Sequence, residues 1–136
     1  MDIRKINDQV SVSPQITVED IAAIKAAGFT TIINNRPDGE APDQTPSDEI
    51  KAAAEAAGLK YVFIPMGRDG VSPDMIAATQ AVVSTGEKTF AYCRTGTRST
   101  NLWALSQAGN LPGPEIIEAA AQAGYDISNL AGYLNQ

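Results

Sequence analysis

Short β-branched and aromatic runs alternate with alanine-rich runs along this chain, a pattern that predicts strands separated by helices. Val10–Ser13 predicts a first strand. Thr17 follows as a helix N-cap, with Asp20 in the capping-box position, and the helix runs through Ile21, Ile24 and Lys25 to a stop at Gly28. The β-branched run Thr30–Ile33 predicts a buried strand, followed by a polar, turn-rich loop over Asn34–Glu40. Thr45 and Pro46 open the next helix, with proline at its favoured first position, and Gly58 closes it. Tyr61–Ile64 is the third strand, and Pro65–Val71 is a loop. Ser72 and Pro73 start a helix that Gly86 ends. Thr89–Tyr92 is the fourth strand, with Cys93 at its end. A helix follows from about Ser99 to Gly109, and residues 112–136 form two short helices broken near Gly124.

Four strands interleaved with helices predict one α/β domain over residues 1–136. Its sheet is mainly parallel, four- to five-stranded, and flanked by helices. A chain of 136 residues can bury such a core without disulfides or metal. The formal charge of −6 argues against a nucleic-acid or anionic-membrane partner, since either needs a basic face, so local arginines must hold any anionic substrate. No apolar run follows Met1 as a signal peptide would require, and none is long enough to span a bilayer. A single cysteine forms no internal disulfide, and these features together give a cytoplasmic expectation. The absence of histidine excludes Ser-His-Asp and Cys-His catalysis and every histidine metal site. A lone cysteine excludes a cysteine-rich zinc site, and no carboxylate clustering suggests another metal, so no metal or cofactor is expected.

Parallel sheets bind ligands beyond the carboxyl ends of their strands, where Cys93 is predicted to lie. Arg94, Thr95, Gly96, Thr97 and Arg98 come next, then a helix. A tight turn between strand end and helix start directs backbone N–H groups inward as an anion nest. Gly96 gives that turn access to positive φ, and Arg98 supplies a fork for an oxyanion. The helix dipole, the N–H groups and the two arginines all favour a thiolate, which makes Cys93 a candidate nucleophile. A lone cysteine after a strand is ordinarily buried filler, but filler requires no arginines on both sides of a glycine turn. Ser99 fits either a plain N-cap or a hydroxyl that hydrogen-bonds the thiolate.

Cys93–Arg98 resembles the active-site loop of rhodaneses, written C-R-x-G-x-[RT]. The surrounding chain resembles a different family, DUF442, the phosphatase-like domain of β-lactamase-hydrolase-like proteins. That resemblance rests on Ile33–Glu40, the Tyr61–Pro65 strand, and Cys93–Ser99 running into Leu102-Trp103-Ala104-Leu105. It implies a protein-tyrosine/dual-specificity-phosphatase-like fold. It also implies a link to bacterial sulfide metabolism, where related domains are fused to persulfide dioxygenase or hydrolase-like metallo-domains.

The two resemblances point to different chemistry. Phosphatases of this architecture carry H-C-x-x-G-x-x-R-[ST], with five residues between cysteine and arginine. Here there are four, and Tyr92 replaces the histidine. A contracted ring of donors suits a terminal sulfur better than the three equatorial oxygens of a phosphoryl group. Spacing therefore makes rhodanese-like sulfur transfer the first expectation. In it, Cys93 takes a sulfane sulfur from thiosulfate or a persulfide and passes it to a thiol, with Arg94 and Arg98 orienting the anionic donor. The alternative is a phosphatase that forms a phosphocysteine at Cys93, for which Arg98-Ser99 reproduces the arginine–hydroxyl pair. It needs an acid for the leaving group, and Asp69 lies in the loop where related phosphatases place one, although an aspartate beside Gly70 also reads as a turn residue. A third alternative is a persulfide or oxidant sensor. Arg36 follows a strand end, and either adds an anion contact or pins its loop by pairing with Asp38 or Glu40.

Overall fold

A computed structural model describes residues 1–134. Its strands are β1 (Arg4–Lys5), β2 (Val10–Ser13), β3 (Thr31–Asn34), β4 (Lys60–Phe63) and β5 (Thr89–Tyr92). They form one sheet in the order β1-β2-β5-β3-β4, parallel throughout except where β1 pairs antiparallel with β2. The helices are α1 (Ile21–Ala26), α2 (Ser47–Ala56), α3 (Pro73–Val83), α4 (Thr97–Gln107), α5 (Gly113–Gln122) and α6 (Ala131–Leu134). Short 3-10 turns at Val18–Asp20 and Ser128–Leu130 lead into α1 and α6.

The mainly parallel α/β architecture follows the expectation from the sequence. β5 lies between β2 and β3, so the residue that follows it sits at the middle of the sheet's carboxyl edge. Period-2 geometry sends alternate side chains to opposite faces. Ile32, Phe90 and Tyr92 pack against Ile21, Ile24, Ile50 and Ala54 of α1 and α2. Ile33 and Ala91 face the other way, against Leu102 and Trp103 of α4 and Ile116 and Ala120 of α5. Both faces are therefore dry, which explains why β3 and β5 are buried along their whole length.

Several boundaries differ from expectation, each for a local reason. β1 has no apolar signature, because Arg4 and Lys5 join through backbone pairing with Val12 and Ser11. Ser72 caps α3 as expected, its hydroxyl accepting from Met75 N–H at 3.3 Å. Pro46 lies just outside α2 rather than opening it. The cap there is remote: Asp38 Oδ1 accepts Ser47 N–H at 2.7 Å. Asp20 accepts Thr17 N–H at 2.9 Å, as the capping-box spacing requires. The α4 helix begins at Thr97, two residues before the expected start, because Gly96 turns the chain into it with a left-handed φ of 92°. Of the final segment, residues 135–136 lie outside the described residues.

Candidate active site

Cys93 leaves the central strand at its carboxyl end, with its N–H donating to Ser13 C=O at 3.4 Å. The returning loop places Gly96 N–H on Cys93 Sγ at 3.1 Å. Three further amides open α4, on Thr97, Arg98 and Ser99. They precede the first backward helical bond, from Thr100 N–H to Gly96 C=O at 3.0 Å, and so have no partner within the helix. The positive end of α4 and a directed N–H thus meet at the sulfur, an arrangement that favours negative charge.

Arg98 is held rigidly beside this loop. Its Nη1 and Nη2 donate to Glu40 Oε2 and Oε1, each at 2.8 Å, and Nη1 also donates to Met66 C=O at 2.7 Å. Its Nε takes no part in these bonds. Glu40 Oε1 additionally accepts from Arg36 Nε at 2.9 Å, and Arg36 Nη1 donates to Gln15 Oε1 at 3.0 Å. One carboxylate therefore serves two guanidiniums, and the row Gln15–Arg36–Glu40–Arg98 ties the loops after β2, β3 and β5 together. The Arg98 hydrogen bonds, reinforced by Arg36, hold the Glu40 carboxyl down at about 2. Arg98 is in turn held more firmly protonated, first by Glu40 and then by the neighbouring Cys93.

A sequence profile described as "Beta-lactamase hydrolase-like protein, phosphatase-like domain" matches residues 2–110. The chain belongs to this family. A Beta-lactamase hydrolase-like protein from Agrobacterium fabrum is 33% identical over 135 residues, covering 97% of this chain and 31% of the relative. One from Xylella fastidiosa strain Temecula1 is 32% identical over 139 residues, covering 100% of this chain and 32% of the relative. The chain thus spans about a third of the length of these curated relatives. Among solved structures, a candidate phosphatase from Neisseria meningitidis Z2491 superposes with a TM-score of 0.84 at 33% identity, over 98% of this chain and 96% of that one. The catalytic core of the PP-IP phosphatase SIW14 from Saccharomyces cerevisiae superposes with a TM-score of 0.67 at 13% identity, over 96% and 81% of the two chains. That second likeness shows the shared fold alone. The DUF442 resemblance and the phosphatase-like fold are both established, and the relatives favour phosphatase chemistry over the sulfur transfer expected from loop spacing.

Within this phosphatase-like domain the remaining candidate residues separate clearly. Arg94 is exposed, and its carbonyl accepts Gln15 N–H at 3.4 Å. Thr95 Oγ1 donates to Thr97 Oγ1 at 3.1 Å on the exposed rim of the loop. Ser99 is the third residue of α4 rather than its cap, and its buried Oγ has no hydrogen-bond partner among the described residues. Arg36 is buried and engaged with Glu40 and Gln15, so the structure places it in the brace rather than in the cradle. Asp38 is occupied at the start of α2. Asp69 is exposed in the turn closed by Gly70 N–H to Gly67 C=O at 3.1 Å. No hydrogen bond or ion pair joins it to Cys93 or Arg98 among the described residues, but the carbonyl of Met66, in the same loop, accepts from Arg98. Tyr92 packs in the core, where burial pushes its phenol well above the ordinary range and keeps it protonated.

Sequence reasoning identified Glu40 as a partner for Arg36 but missed its stronger grip on Arg98. It also missed Gln15, the Met66 carbonyl and Tyr125, whose hydroxyl donates to Thr95 C=O at 2.8 Å. All four reach the loop from segments distant in the chain, and no local spacing marks them.

Proposed function

We propose that this domain is a cysteine-dependent phosphatase acting on phosphate monoesters. The observation that carries the reading is Arg98. Its guanidinium is fixed by a bidentate carboxylate and a carbonyl beside a cysteine that already accepts a loop N–H. Cys93 thiolate attacks phosphorus, and the bond to the ester oxygen breaks. Asp69 gives its proton to the departing oxygen. The loop amides and Arg98 hold the equatorial oxygens as charge spreads over them. Water then attacks the phosphocysteine, with Asp69 accepting its proton, and the thiolate leaves. Ser99 Oγ, buried and unpartnered, suits a hydroxyl that donates to the departing sulfur. A hydrolase-like partner belongs to this reading as well, since the curated relatives carry most of their length outside the matched region.

Rhodanese-like sulfur transfer is the second reading, favoured by the four-residue spacing between Cys93 and Arg98. It needs an anionic sulfur donor, a thiol acceptor and no acid. Turnover of p-nitrophenyl phosphate by the wild-type protein, absent in Cys93→Ser, is the expected result. A protein that leaves phosphate esters intact, yet gains one sulfur from thiosulfate on Cys93 and loses it to cyanide, would overturn the phosphatase reading in favour of the sulfurtransferase.

A further inference from the structure

We propose that Tyr125 is a positioning residue for the anion cradle: its hydroxyl fixes which way the Thr95–Gly96 peptide faces, and so keeps Gly96 N–H on Cys93. The inference rests on the reading of Cys93 as nucleophile and adds a residue beyond position 110, the last that the family profile covers.

The chain has no cis peptide bond among the described residues, so the carbonyl and N–H of one peptide unit point in opposite directions. At the 95–96 unit, the carbonyl accepts from Tyr125 Oη at 2.8 Å, and the N–H donates to Cys93 Sγ at 3.1 Å. The peptide is held at both ends, and only one of its partners is the reacting atom. Glycine at 96 leaves the orientation otherwise open. Its φ of 92° belongs to a region that glycine occupies about as readily as its negative counterpart. Reversing the unit would carry φ toward negative values and turn an oxygen toward the sulfur. That oxygen would repel a thiolate and any bound oxyanion.

Tyr125 is itself anchored independently of the loop. Its N–H donates to Ala120 C=O at 2.9 Å. Arg4 lies over its ring at 5.4 Å and donates from Nη1 to Ala123 C=O at 3.2 Å. The hydroxyl also presses against the loop: a Cβ added at Gly96 would lie 2.1 Å from Tyr125 Oη. Burial, with the nearby Cys93 charge contributing, raises the phenol above its ordinary value, so it remains a donor at neutral pH.

Tyr125→Phe tests this by removing the hydroxyl while keeping the ring under Arg4. Two readings are taken: the pH profile of thiolate absorbance, measured as the difference from Cys93→Ser in the same background, and the affinity for inorganic phosphate. The profile should move upward by about one pH unit, the scale of weakening a charge-assisted hydrogen bond. Phosphate binding should weaken by roughly three- to tenfold. Tyr133→Phe, at an exposed tyrosine, should change neither. An unchanged profile and phosphate affinity in Tyr125→Phe overturn the proposal, even if thermal stability falls, because a merely structural role moves stability alone. The thiolate profile is readable without turnover. Failure of wild-type phosphatase activity would therefore sink the phosphatase reading while leaving this one testable.

Discussion

Glu40→Gln removes the charge shared by Arg36 and Arg98 while keeping the side chain's size. Glu40 accepts two bonds of 2.8 Å from Arg98 and one of 2.9 Å from Arg36. Its carboxyl is lowered from 4.5 to about 2, which corresponds to about 3 kcal/mol of preference for the charged form in the fold. The side chain keeps 29% of its exposure, and solvent screening reduces the contribution to about 2 kcal/mol. A carboxyl whose folded value is depressed adds stability above its unfolded value and loses it as pH falls toward the folded one. The wild-type advantage over Glu40→Gln should therefore be complete above about pH 6 and shrink by about 1 kcal/mol by pH 3.5. Urea unfolding of both proteins at those two pH values measures it. The same substitution should raise KM for p-nitrophenyl phosphate about tenfold, because Arg98 loses the brace that presents it. A stability difference below about 0.5 kcal/mol at neutral pH, or one that does not change with pH, would refute the brace.

Asp69→Asn should lower kcat for phosphate-ester hydrolysis by about a hundredfold or more and leave sulfane-sulfur uptake by Cys93 intact; equal hydrolysis by both proteins would remove Asp69 from the mechanism. Gly96→Ala should destabilise by about 2–4 kcal/mol in chemical denaturation, combining a left-handed φ with the displaced Tyr125 hydroxyl, and an effect below about 1 kcal/mol would contradict the loop geometry. Arg98→Lys should retain charge yet lose most activity, since a point charge cannot reproduce the bidentate hold on Glu40; near-wild-type kcat/KM would show that charge alone suffices.

What could be read from the chain follows from how far each interaction reaches. Val10–Ser13 and Thr89–Tyr92 stand in the structure as anticipated, because both are bounded by turn residues and carry strand-forming side chains. β1 was invisible, since two polar residues at a sheet edge are recruited by backbone pairing alone. Cys93 and Arg98 were recognisable because loop and helix start are contiguous. The carboxylate that orients Arg98 comes from 58 positions away, and the hydroxyl on Thr95 from 30. The remote cap that Asp38 gives α2 was hidden for the same reason: its acceptor lies nine residues before the amide it satisfies.

The helices beyond residue 110 change what counts as the folding unit. Ile116, Ala120, Ile127 and Leu134 lie in the same core as Leu102 and Trp103 of α4. A fragment cut at residue 110, where the family profile ends, would keep every motif residue yet strip the apolar cover from one side of the helix that presents Arg98. Recombination or domain grafting in this lineage must therefore carry residues 111–134 along with the motif. The reach of a family profile and the reach of a self-standing fold are set differently: one by which sequence is shared, the other by which surfaces must be kept from water.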